Sequence, residues 1–106
     1  MAKYLLKASY NTEGARGLLK EGGTSRRAAV EKVVRDLGGK LEVFYFSFGD
    51  EDAIVIADLP DAVAAASLSL AVNAAGAVSL STTPLLTPEE IDAACKKPPT
   101  YRAPGA

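Results

Sequence analysis

Residues 40–58, KLEVFYFSFGDEDAIVIAD, alternate without producing a polar face. Leu41, Val43, Tyr45 and Ser47 fall on one side of an extended segment, and Glu42, Phe44, Phe46 and Phe48 fall on the other. The run Ala53, Ile54, Val55, Ile56, Ala57 is apolar throughout. The pattern predicts two strands joined by an acidic turn at Gly49, Asp50, Glu51 and Asp52, and a hairpin apolar on both faces needs cover on both. Upstream, Tyr4, Leu6, Ala8 and Tyr10 alternate with Lys3, Leu5, Lys7 and Ser9, which predicts a first strand over 3–10. Asn11, Thr12, Glu13 and Gly14 read as turn chemistry. Residues 15–21 read as one helical turn or an ordered loop, because Gly17 and the Gly22-Gly23 pair oppose a long helix. Thr24 or Ser25 then caps a helix whose apolar face is Ala28, Ala29, Val30, Val33, Val34 and Leu37, and Gly38-Gly39 ends it as a left-handed C-cap.

The second half follows the same grammar. Asp61 is the N-cap of a helix over 62–75 built from Ala, Val, Leu and Ser, whose lack of charge predicts cover on more than one side. Gly76 closes it. Residues 77–86 form a fourth strand, with Pro84 at a sheet edge or just past the paired part. Thr87, Pro88, Glu89 and Glu90 start a short helix running to about Lys97, and residues 98–106, with three prolines, form an extended tail. The order β-α-β-β-α-β is the ferredoxin-like arrangement, an α+β fold with an antiparallel sheet. A domain over 1–97 and a tail over 98–106 are expected. Both main helices then lie on one side of the sheet, and the bare side exposes more apolar surface than a monomer tolerates. Sheet-to-sheet homodimerisation, a dimeric α/β barrel, is the simplest cover.

Composition narrows the function classes. Twelve basic residues against 13 acidic ones remove a global electrostatic case for nucleic acid or an anionic membrane as a partner. The chain has no apolar run of bilayer length and opens directly on a strand pattern, so a soluble cytoplasmic protein is expected. The single cysteine, Cys95, agrees with a reducing compartment and reads as a buried or inert thiol. There is no histidine, which removes imidazole as general base, haem ligand or metal ligand. No cofactor is implied, and no metal: Asp50, Glu51 and Asp52, even with Asp58, lack the spacing of a calcium loop. A solvated hairpin turn with Asp52 paired to an arginine suits them better.

Two patches carry candidate chemistry. Gly22, Gly23, Thr24 and Ser25 at the start of the long helix, with Lys20, Arg26 and Arg27, offer an anion site; the plain alternative is a capped loop whose arginines pair with Glu13, Glu21, Asp50 or Asp52. In the barrel interior, Tyr4, Tyr10 and Tyr45 with Lys7 or Glu42 suit a small ligand among apolar walls, and the plain alternative is tyrosines packed in a dimer interface. The expected function is a homo-oligomer binding a small hydrophobic or anionic ligand, the hydrophobic one between paired sheets. The alternative is a cofactor-independent enzyme, monooxygenase-like or proton-transferring, using Tyr10, Tyr45 and Lys7.

The residues also resemble a known family. Phe48 to Ile56, FGDEDAIVI, with Leu59, Pro60 and Asp61 behind it, is similar to the signature of the GYD-domain proteins, small bacterial proteins of unassigned activity. The opening Tyr4-Leu5 through Ser9-Tyr10, the segment Gly22 to Arg27, Gly38-Gly39, and Leu85 to Ile91 are similar too. The resemblance implies a dimeric α/β barrel. Glu51 stands where the tyrosine of the family name is expected, so no role of that tyrosine carries over.

Overall fold

The computed structural model describes residues 1–106. The elements are β1 (Ala2–Tyr10), α1 (Thr12–Glu21), α2 (Gly23–Asp36), β2 (Lys40–Phe46), β3 (Ala53–Leu59), α3 (Ala62–Ala75), β4 (Val78–Leu85) and α4 (Pro88–Cys95). The four strands form one antiparallel sheet in the order β2-β3-β1-β4. This is the ferredoxin-like order, with an added helix in the first crossover and another at the C-terminus.

The turn expected at residues 11–14 is a helix start. Asn11 caps α1 by accepting the Gly14 N–H at 2.9 Å, while its own side-chain amide donates to the Gly76 carbonyl at 2.6 Å. Gly14 serves close approach, since a Cβ there would lie 2.3 Å from the Ala77 carbonyl oxygen. The helix α2 begins at Gly23 with Gly22 as N-cap and no side-chain cap, so neither Thr24 nor Ser25 performs the expected role. Its end is as expected: Gly38 has φ 85°, its N–H donates to Arg35, and that of Gly39 donates to Val34, a Schellman closure. Asp61 caps α3 through the Ala64 N–H at 2.8 Å, and Gly76 ends it in the left-handed region. Thr87 and Glu90 form a reciprocal capping box on α4.

The core lies between helices and sheet. Tyr4, Leu6, Val55, Ala57 and Leu59 project from β1 and β3 against Val34 of α2 and Ala64, Ala65 and Leu68 of α3. The hairpin parity expected from simple alternation is broken by a register shift between Leu41 and Val43. A bulge places one extra residue in the strand and changes the face of what precedes it. Leu41 therefore joins Phe44 in packing on the core, while Val43 and Tyr45 pair with Ile56 and Ile54 on the face bearing no helix. The rings of Phe44, Phe46 and Phe48 continue along the helix side, with centroids 5.2 and 6.0 Å apart.

The charge-free α3 is not covered on its outer side: Val63 and Leu70 are 77% and 72% exposed. Nor does α4 bury any residue. With residues 98–106, which contain no helix or strand, it extends from the body. The radius of gyration is 16.8 Å, against about 13 Å for a compact chain of this length. No helix is long and apolar enough to cross a membrane.

Candidate functional site

The two faces of the sheet present different chemistry. On the open face, register aligns Thr83, Leu5, Ile56 and Val43 in one row and Ser81, Lys7, Ile54 and Tyr45 in the next. Tyr45 is 71% exposed. Charges frame this apolar centre and are paired within the chain. Lys3 Nζ bonds Glu42 and also lies 3.0 Å from Asp58 Oδ1, and Lys7 Nζ is 3.9 Å from Glu51 Oε1. The hydrogen bonds that the Lys3 ammonium donates to Glu42 and then to Asp58 raise it above its ordinary pKa of 10.5. Glu51 thus reaches back over the open face toward Lys7.

The helix side holds a cavity. The helix α2 packs on β2 and α3 on β4, so the two straddle the central strands and leave a gap above Ala8 and Ala53. The result is a cavity of about 120 Å³ with 14 lining residues, 13 of them hydrophobic. Leu6 and Val55 form the floor with the two alanines, Val30 and Leu68 stand on the flanking helices, and Arg26 is the single charged residue. Tyr10, Arg26, Val33, Leu68, Val72 and Val78 also line an outer groove of about 600 Å³. Tyr10 and Arg26 therefore stand where the inner cavity meets the groove. Arg26 is half-buried and takes part in none of the chain's five ion pairs.

These placements regroup the residues singled out from sequence. Tyr4 is buried beneath the helices and Tyr10 lies on the same side, whereas Lys7, Glu42 and Tyr45 lie on the open face. The sheet itself separates Tyr4 from Glu42 and Tyr45, and Tyr10 from Lys7 and Tyr45, so neither group converges on one interior. Strand parity is the reason: Tyr4 and Tyr10 share the phase of Leu6 and Ala8, while Lys7 is out of phase with them. Arg26 and Arg27 diverge as neighbours on a helix do. Arg26 enters the cavity, and Arg27 lies beside Glu31, Glu42 and Tyr45 at the β2 edge. Neither pairs with Glu13, Glu21, Asp50 or Asp52. Asp52 instead accepts the Tyr10 backbone N–H at 2.7 Å, correcting the expected arginine pair. Cys95 is exposed.

Sequence reasoning missed the cavity as a site, although its signal was present. Arg26 precedes Ala29, Val30 and Val33 by three, four and seven residues, the spacing of one helix face. An arginine in phase with an apolar stripe, opposite small Ala8 and Ala53, is what a roofed pocket with one cation requires.

No curated protein and no solved structure matches the chain. The family model described as the GYD domain matches residues 4–95, which run from β1 through the end of α4. The chain belongs to the GYD-domain family.

Proposed function

We propose that the protein is a homodimer that binds a small hydrophobic molecule, with the two tasks assigned to opposite faces of one sheet. The carrying observation is the apolar cavity between helices and sheet, lined by one charged residue, Arg26, that has no ion-pair partner. Cavities of this order, compared with roughly 150 Å³ for one that takes benzene, hold a small ring or branched aliphatic group. The ligand position differs from the inter-sheet one expected from sequence, because the structure shows room on the helix side.

The open face supports the dimer. Leu5, Val43, Tyr45, Ile54 and Ile56 form a contiguous apolar patch of the kind that marks an association surface. Lys3, Lys7 and Lys40 are balanced by Glu42, Glu51 and Asp58 on the same face or at its edge. A neutral patch lets two identical faces meet without like-charge repulsion. Such a dimer leaves the helix side, and the mouth at Tyr10 and Arg26, free to solvent.

Native mass spectrometry of protein purified without denaturation tests this reading. A dimer of the 11.0 kDa chain carrying a reproducible small-molecule adduct is the expected result. A monomer overturns the dimer, and a dimer that stays free of adduct when offered benzene or indole overturns the cavity reading.

A further inference from the structure

We propose that the cavity site selects hydrophobic monocarboxylates: molecules with an apolar group of about benzene size and one carboxylate, the latter held by Arg26. The inference rests on the cavity reading above and adds the chemical class. The inner chamber offers no polar side chain apart from those at its neck, so the buried part of a ligand must be apolar. At the neck, Arg26 is a half-buried residue whose guanidinium has no carboxylate of the chain within ion-pair distance. A guanidinium presents its donors as a planar fork that matches a carboxylate with two parallel hydrogen bonds. The Tyr10 side chain lines the same neck, and its hydroxyl can donate to the same anion.

The outer groove limits the charge a ligand can carry. Glu13 and Glu21 line it beside Arg26. A second anionic group extending outward would meet these carboxylates, so dicarboxylates and phosphate esters are disfavoured. One negative charge at the neck with an apolar body inside satisfies every group named. The site differs from a helix-start anion cradle, since it is made by a side chain within a cavity, and α2 begins without any side-chain cap.

Isothermal titration at pH 7 with 3-phenylpropionate and with 3-phenylpropan-1-ol, which shares the apolar body but carries a neutral head, tests the assignment. The expected result is that the wild-type chain binds the acid about tenfold or more tightly than the alcohol, as charge-assisted hydrogen bonds imply. Arg26→Gln removes that preference while leaving alcohol binding in place, and Arg26→Lys restores part of it. Ala29→Phe, at an exposed helix position that also lines the cavity, abolishes binding of both with its circular dichroism unchanged. Equal affinity for acid and alcohol overturns the carboxylate class and leaves the cavity reading standing. Binding of neither probe overturns both. Retention of the preference in Arg26→Gln assigns the anion to another group and overturns the role of Arg26.

Discussion

Asp52 Oδ2 accepts the backbone N–H of Tyr10 at 2.7 Å, while the Asp52 N–H donates to the Ala8 carbonyl at 2.8 Å. The β1–β3 ladder ends at the Ala8–Ala53 pair, yet β1 continues to Tyr10. The end of β1 pairs with β4 through Tyr10 and Val78, and Asp52 adds a bond from the β3 side to the residue that lines the cavity neck. Asp52→Ala leaves a partly buried N–H without its acceptor and should cost about 1–3 kcal/mol, read as a lowered urea midpoint at unchanged slope. Asp52→Asn, which keeps an acceptor, should lose less. Equal losses would mean that the negative charge matters rather than the bond.

The division of the sheet predicts opposite behaviour for two charge insertions. Ile56→Asp, on the open face between Leu5 and Val43, should yield a folded monomer, because an unpaired charge in a packed interface costs several kcal/mol while the monomer leaves it solvated. Phe46→Asp lies on the helix side against Gly23 and the neighbouring Phe rings, so it should lower the stability of the fold itself. Size-exclusion chromatography with light scattering, paired with urea unfolding, separates the cases. A normal dimer from Ile56→Asp would show that the open face is not the contact.

The faces of the hairpin show how far the sequence carried the fold. The caps at Asp61 and Thr87 and the glycine stop at Gly38 rest on local hydrogen-bond chemistry, and the strand order on the succession of strand and helix periodicities, so these were legible. The bulge at Leu41–Val43 was not, since alternation assumes an unbroken pleat and a single extra residue reverses the assignment of Leu41. The helix α1 was hidden because Gly14 and Gly17 read as breakers. Gly14 is required by the Ala77 carbonyl, a contact distant in sequence. Of the candidate site, Arg26 and Tyr10 are among the residues that the sequence singles out. They were placed with the wrong companions, because which residues share a cavity depends on strand phase and on the gap between α2 and α3.

Removing residues 87–106 should leave the four-stranded body intact. The helix α4 buries nothing, and surface changes away from buried groups shift stability by about 0.5 kcal/mol or less. Urea unfolding of the shortened chain checks this at one concentration of protein. A loss of several kcal/mol would show that the C-terminal arm supports the body.

The Lys3 ammonium, raised by Glu42 and Asp58 above 10.5, binds its proton more tightly in the folded chain. Its contribution to stability is complete below pH 10.5 and is lost as pH rises through the higher folded value. Lys3→Met should therefore be less stable than wild type at neutral pH, with the difference shrinking above pH 10.5. The Lys3 side chain is 43% exposed near the start of the central strand β1, so the effect is small. A difference that grows with pH would contradict the assignment.

Methyl-resolved NMR tests the two-faced account most directly, with a soluble paramagnetic agent reporting on exposure and benzene reporting on the cavity. Leu5, Ile54 and Ile56 methyls should be shielded from the agent although a single chain leaves them accessible, and benzene should shift Leu6, Val55 and Leu80 while leaving the first set unmoved. Strong relaxation of Leu5, Ile54 and Ile56, or benzene shifts centred on them, would contradict the claim that one face holds a copy of the chain and the other a ligand.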